Sequence, residues 1–86
     1  MTFTVKTIST WGSPNDYNAP AILEARDTYL RPQVDAGNVS GDPIIISNTQ
    51  VELHWVSREA AEEWKSIIED VAAKNNLSLT VEITDL

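Results

Sequence analysis

The chain has 86 residues, no cysteine, and 13 acidic against six basic side chains, which give it a net charge of −7. This length predicts one domain over residues 1–86 with one small core, and the charge disfavours nucleic acids and anionic membranes as partners. The absence of cysteine excludes disulfides, thiolate metal sites and thiol redox chemistry, and no apolar segment approaches the roughly 20 residues of a membrane-spanning helix. We therefore expect an intracellular, cytoplasmic protein.

The chain begins with a predicted strand and a loop. Residues 2–9 alternate polar side chains with β-branched or aromatic ones, so Phe3 and Val5 are expected to share one face of the strand. The loop that follows gathers turn formers and yet carries two aromatic residues, Trp11 and Tyr17. They either fold back onto the core or contact a partner, and the sequence leaves both alternatives open. They are our first candidate partner-binding residues.

A first helix is predicted after this loop. Asn18 is its expected N-cap, and Pro20 lies in the first turn, where proline is tolerated. Pro32 removes an amide donor and so kinks or ends the helix. Whether the helix resumes as far as Gly37 is left open.

A β-hairpin is predicted next. Residues 44–46 are three consecutive isoleucines and form a short apolar strand. Asn48 and Thr49 make a tight connection to a second strand at residues 50–56.

A second helix and a last strand complete the chain. Ser57 opens an amphipathic helix that ends near Asn75 and Asn76. The apolar stripe of this helix, which must cover a sheet, consists of Ala60, Ala61, Trp64, Ile67, Ile68, Val71 and Ala72. Residues 77–84 alternate as a strand. Trp55 and Trp64 are expected in the core because they lie on inward faces.

The predicted element order is β-α-β-β-α-β. This is the order of the ferredoxin-like two-layer α+β sandwich, in which two helices cover one face of a four-stranded antiparallel sheet. The apolar residues are only enough to fill such a core, so no cavity is expected.

The open face of this sheet is a second candidate site. Alternation places Glu52, His54 and Glu82 on the face away from the helices. These three residues are either a metal or acid-base cluster, should the strands pair suitably, or ordinary exposed surface. An RNA-binding face would need stacking aromatic and basic residues instead. We take the three as candidate partner-binding residues and assign no catalytic, cofactor or metal site.

The second helix carries an acidic surface. It either mimics nucleic acid for a basic site on a host enzyme or is an ordinary solvated face, because basic residues interrupt it. Asp70 and Lys74 have the i,i+4 spacing of an ion pair. The acidic residues are Glu59, Glu62, Glu63, Glu69 and Asp70.

One segment resembles a known group of proteins. From Trp55 to Trp64 an aromatic strand end is followed by a serine-capped Glu-Ala-Ala helix start and a second tryptophan. This pattern resembles small uncharacterised proteins of tailed bacteriophages, cyanophages included, over roughly residues 50–84. The resemblance implies a viral protein that acts by contact, within the virion or on a host protein in the host cytoplasm. It implies no catalytic residues.

Three functions follow in order of preference. The first is a non-enzymatic protein–protein interaction module, with a homodimer through the open sheet face or a virion or host protein as partner. The second is an acidic inhibitor of a host nucleic-acid enzyme. The third is a small dimeric ferredoxin-like enzyme or ligand-binding protein with a pocket between sheet and helices near His54 and Trp64.

Overall fold

Four antiparallel strands and two helical segments form an α+β fold in the computed structural model, which describes residues 2–86. The strands lie side by side in the order β2-β3-β1-β4, and each neighbouring pair is antiparallel. Their bounds are Val5–Trp11 for β1, Ile44–Ser47 for β2, Gln50–Trp55 for β3 and Leu79–Asp85 for β4. The central strands are therefore β1 and β3, and the edges of the sheet are β2 and β4.

The first helical segment continues past Pro32. It consists of α1 (Pro20–Ala25), a π-helical turn (Arg26–Leu30) and α2 (Arg31–Asp35); we call these three pieces the composite helix. Because proline has no N–H to donate to the preceding turn, the chain widens, and the Arg31 N–H bonds to the carbonyl of Arg26. The helix therefore continues through Pro32 as far as Asp35, which settles the point that the sequence left open.

Both ends of the composite helix show how local chemistry sets its length. The N-cap is Ala19, and the prediction of Asn18 is wrong because Asn18 is the last residue of a preceding 3₁₀ turn. At the other end Gly37 adopts a φ of 80°, in the left-handed region that glycine tolerates. The Gly37 N–H bonds to Val34 and the Asn38 N–H to Gln33, which is a Schellman motif.

The second helix, α3 (Arg58–Lys74), begins and ends as the sequence predicts. The Ser57 side chain accepts a hydrogen bond from the Ala60 N–H at 3.2 Å, and Asn76 adopts a left-handed φ of 59° just beyond the last turn. The Leu77 N–H then bonds to the Ala72 carbonyl at 2.8 Å, so this end is also a Schellman motif. The predicted apolar stripe faces inward, with its members buried or half-buried.

The core lies between the two helical segments and one side of the sheet. Trp55, Ile22 and Ile68 come from β3, the composite helix and α3, and all three are at most 1% exposed. Phe3 is not on the buried side with Val5 as expected, because the strand begins only at Val5, and the Phe3 ring lies edge-on to His54. Within the described part of the chain, no helix has the length and apolar character needed to cross a membrane.

We expect Ser57→Ala to lower the free energy of unfolding by about 1 kcal/mol, because the first turn of α3 loses its side-chain cap. Ser66→Ala is the matched control, since Ser66 is exposed in the middle of α3 and alanine is the better helix former there. Urea unfolding monitored by tryptophan fluorescence measures both variants. Equal losses in the two would contradict the capping role.

Candidate functional site

The side of the sheet opposite the core is the first candidate site, and we call it the outer face. Its residues alternate with buried ones along β1 and β3, and all of them are half-buried or exposed. The outer face consists of Lys6, Ile8 and Thr10 from β1, Gln50, Glu52 and His54 from β3, Thr80, Glu82 and Thr84 from β4, and Ile44 from β2.

His54 and Glu52 form a close pair on this outer face. Their side chains are 27% and 15% exposed, and His54 Nε2 lies 2.5 Å from Glu52 Oε2. Alternate residues on a strand have Cα atoms about 6–7 Å apart, so the two side chains lean together along the strand. The Ser40 hydroxyl accepts from the His54 backbone N–H, and Phe3 flanks the ring. Ser40 and Phe3 thus both contact His54, the basic member of the pair.

Glu82 is not brought to this pair. Ile8 of β1 lies directly opposite Glu52 on one side and Glu82 on the other, so the two carboxylate-bearing strands are separated by two strand spacings, about 10 Å. Among residues 2–86, no group of three or more histidine, cysteine, aspartate or glutamate residues could hold a metal ion. The outer face therefore offers one His–Glu pair and a separate glutamate.

Trp11 and Tyr17 lie against the core. Trp11 is the last residue of β1, not a loop residue as expected, and is 5% exposed. The half-buried Tyr17 meets it edge-on with ring centroids 6.1 Å apart, and the Arg26 guanidinium lies 4.4 Å above the Tyr17 ring. Trp11 therefore folds back onto the core, which is one of the two alternatives that the sequence left open. A partner contact through Tyr17 stays a prediction.

The loop after Trp11 is held tightly against the start of β4. The Gly12 N–H donates to the Ser78 carbonyl at 2.9 Å. A Cβ atom on Gly12 would lie 2.8 Å from the Ser78 Cβ, so only glycine allows this approach without a shift.

The acidic surface of α3 is partly neutralised. Lys74 pairs with Asp70 at 2.9 Å, as the sequence predicts, and Lys65 pairs with Glu69 at 2.8 Å. The hydrogen bond from Lys74 to Asp70 and their mutual attraction raise the pKa of Lys74 above its ordinary value. The Lys65–Glu69 pair lies in the middle of the helix and the Asp70–Lys74 pair at its C-terminal end.

The Lys65–Glu69 pair also protects one edge of the sheet. Glu69 Oε2 accepts the Val81 N–H at 3.0 Å, and Lys65 Nζ donates to the Val81 carbonyl at 2.9 Å. Unpaired backbone groups on an edge strand invite another chain to pair with them. Edge strand β4 is therefore guarded by side chains of α3.

The other edge, β2, has no such guard among residues 2–86 and is the candidate site that sequence reasoning missed. Ile44, Ile45 and Ile46 are 48%, 61% and 46% exposed, and the principal contacts of β2 are with β3. Sequence analysis interpreted the isoleucine run only as a strand. The available signal was the predicted fold itself, because it places this short strand at an edge, where three apolar residues cannot all be buried.

We expect Glu69→Ala to lower the free energy of unfolding by about 1–2 kcal/mol, because the Val81 N–H loses its acceptor and Lys65 its partner. Glu62→Ala on the exposed side of α3 is the matched control and removes the same charge. Equal thermal and urea stability of the two variants would show that Glu69 does not support the edge.

Comparison of the sequence with protein-family models and with curated proteins finds no match.

Proposed function

We propose that the protein is a non-enzymatic protein–protein interaction module that pairs with a second copy of itself through edge strand β2. The observation that carries this proposal is the contrast between the two edges of the sheet. Edge strand β4 has its Val81 backbone groups bonded by Lys65 and Glu69, whereas β2 presents three isoleucines that are about half exposed. Natural proteins usually blunt an edge with charge, proline, a bulge, a short strand or a covering element. Strand β2 is short and has an irregular register between Ile45 and Ser47, but none of its four residues is charged or proline.

We further infer that the fold is the ferredoxin-like β-α-β-β-α-β sandwich. The order of strands and helices along the chain and the sheet order β2-β3-β1-β4 support this inference. In this topology β2 is an edge strand whichever side chains it carries. The isoleucines, and not the fold, are therefore the reason to propose an interaction.

A second copy of the chain fits this edge. Two identical edges can pair antiparallel about a twofold axis, which makes the contact self-complementary and joins the sheets into one of eight strands. Residues 44–47 carry no charge, so this pairing brings no like charges together within the strand despite the net charge of −7. Ile45 lies on the core side of the sheet, opposite Val51, and would continue the apolar layer across the dimer.

The outer face suits a twofold contact less well. The glutamates Glu52 and Glu82 lie on it in one row with Ile8 between them, and Thr10 and Thr80 are exposed. Packing this face against its own copy would bury two carboxylates and several hydroxyls, and of the two basic residues on the face, Lys6 and His54, the second is already paired with Glu52. We therefore place the homodimer contact at the edge and not on the outer face.

The size of the contact predicts a weak dimer. Complete burial of an isoleucine side chain stabilises by roughly 1.5–3 kcal/mol, so six half-exposed isoleucines contribute about 6 kcal/mol. Backbone hydrogen bonds between paired edges add about 1 kcal/mol each. Association itself costs about 4–15 kcal/mol, so most of this gain is offset. The dimer must therefore be sought at high protein concentration.

The test is the solution mass, measured by light scattering and sedimentation from about 10 µM to 1 mM protein. We expect a concentration-dependent dimer that Ile45→Lys abolishes, because a lysine on an edge strand blocks strand pairing. Ile45 is 61% exposed, so the substitution leaves the monomer folded.

Thr10→Lys is the matched control, because it adds the same charge at an exposed position of the outer face. Its dimerisation should equal that of the wild type. A wild type that stays monomeric at 1 mM, or an Ile45→Lys variant that still dimerises, overturns the proposal. A dimer that Thr10→Lys dissociates and Ile45→Lys does not would place the contact on the outer face.

The resemblance of residues 50–84 to small proteins of tailed phages stays a prediction. In that setting the self-paired module would act within a virion or on a host protein in the host cytoplasm. The acidic-inhibitor alternative also stays a prediction. No contact of the described chain favours it, since Lys65 and Lys74 neutralise part of the α3 surface.

A further inference from the structure

The helical layer leaves open space on both of its sides. On the inner side, a cavity of about 80 Å³ lies between the composite helix, α3 and the sheet. The expectation that the apolar residues would fill the core completely is therefore wrong. His54 lies on the outer face, so the expected pocket forms beside Trp64 but not beside His54. On the outer side, a groove follows the line along which the composite helix packs against α3, and we call it the helix groove.

The helix groove consists of two pockets that share one wall. Their volumes are about 160 and 240 Å³, and Thr28 and Tyr29 line both of them. Tyr29 belongs to the π-helical turn and is 47% exposed, so its ring is open to solvent between the pockets. Half-buried Ile67 lines the first pocket and half-buried Val71 the second. An accessible apolar strip therefore runs along the groove.

The residues that α3 contributes lie in one line. They are separated by three, four and four positions, a spacing that keeps them on one side of an α-helix. At 1.5 Å per residue this line is about 16 Å long, which is about three helical turns. Its members are Ala60, Glu63, Ile67 and Val71.

Each pocket carries one carboxylate and no basic side chain. Glu63 lines the first pocket and Glu24 the second, and none of the lining residues identified is a lysine, arginine or histidine. Among residues 2–86 neither carboxylate has an ion-pair partner. Arg31 and Lys74 lie beside the two ends of the groove, but each is paired with an aspartate. The groove therefore complements a partner that presents apolar and basic side chains together.

The two carboxylates lie at opposite ends of the groove. Glu63 shares its pocket with Pro32, whereas Glu24 shares its pocket with Val71. Glu63 and Val71 are about 12 Å apart along α3. Basic residues seven positions apart on a ligand helix lie on one face and about 11 Å apart, so they match the separation of the two carboxylates.

A helix suits this groove better than an extended chain. The composite helix and α3 bond most of their backbone groups internally, so the groove offers no strand edge with which an extended peptide could pair. Two packed helices can accept a third, whose side chains insert between theirs. In a ligand helix with basic residues at i and i+7, the residues at i+3 and i+4 lie between them on the same face and therefore contact Tyr29 and Ile67.

We propose that the helix groove binds an amphipathic helix of a partner protein that carries basic residues at i and i+7 and apolar residues at i+3 and i+4. The basic residues pair with Glu24 and Glu63, and the apolar residues contact the strip around Tyr29. None of the lining residues identified belongs to a strand. This contact and the pairing through β2 can therefore fail independently.

A second copy of the chain does not supply such a helix. Arg58 and Lys65 are its only basic residues seven positions apart, and both are already paired with acids. Between them, Ala61 is buried and Glu62 is acidic. The ligand must therefore come from a different protein.

The test uses a capped, alanine-based peptide of about 18 residues with lysines at i and i+7 and leucines at i+3 and i+4. It is titrated to about 1 mM into the ¹⁵N-labelled intact protein, and ¹H–¹⁵N spectra are recorded. We expect the backbone amide signals around Tyr29 and Ile67 to move along a saturable curve, while those of β2 stay in place. A peptide of the same composition with both lysines on the face opposite the leucines should bind about tenfold more weakly.

Matched variants of the protein locate the contact. Glu63→Gln should weaken peptide binding about two- to fivefold, because one exposed ion pair is lost. Glu62→Gln removes the same charge from an exposed neighbour that does not line the groove and should not change binding. Tyr29→Ala should weaken binding at least about tenfold. Leu23→Ala, at a similarly exposed position of the composite helix outside the groove, is its control.

Several outcomes would overturn the proposal. The absence of saturable movement up to about 1 mM peptide would show that the groove does not bind such a helix. Equal weakening by Glu62→Gln and Glu63→Gln, or equal binding of the two peptides, would reduce the effect to the net charge. Equal weakening by Leu23→Ala and Tyr29→Ala would place the contact elsewhere. A wild-type dimer that Tyr29→Ala dissociates would show that a second copy occupies the groove. The dispersion of each variant's spectrum shows whether it is folded.

Discussion

The hydrogen bond from the Trp55 indole to the Thr7 hydroxyl joins the two central strands inside the core. It forms only in the observed register of β1 against β3, and the rest of the structure depends on that register. Both side chains are fully buried, and the bond is 2.9 Å long. A slip of β1 against β3 by one residue would turn every side chain of one strand to the other face. It would expose Trp11 and bury Lys6, and it would leave the Trp55 donor unpaired. The pair therefore fixes which residues face the helices and which form the outer face.

The helical layer does not extend over the whole sheet, and this explains why the two edges differ. Helix α3 packs over β4, β1 and β3, and its principal helix contact is α1. It can therefore place Lys65 and Glu69 at the edge of β4. In the described part of the chain no side chain bonds to the β2 edge in this way, and the three isoleucines of β2 remain about half exposed. A chain of 86 residues has little surface to spare for covering a fourth strand.

The local parts of this fold could be predicted from the sequence, and the parts that depend on distant contacts could not. Alternation identifies the strands, and Ser57 with the apolar stripe identifies α3, because these signals lie within a few residues of one another. The site residues divide in the same way. That Glu52 and His54 share a face follows from their spacing, but the separation of Glu82 depends on strand order. The burial of Trp11 depends on which side chains pack against it from elsewhere in the chain, which no local pattern records.

Edge strand β2 is joined to the interior of the molecule by one short stretch of backbone. Ser40, Gly41 and Pro43 line the cavity of about 80 Å³ that also contacts the composite helix, α3 and the core side of the sheet, and the residue after Pro43 is the first of β2. The Ser40 N–H bonds to the His54 carbonyl at 2.8 Å, which anchors this stretch to β3 at one end, while the β2 ladder anchors it at the other. A second chain paired with β2 would therefore restrain this stretch from its outer end, and with it one wall of the cavity.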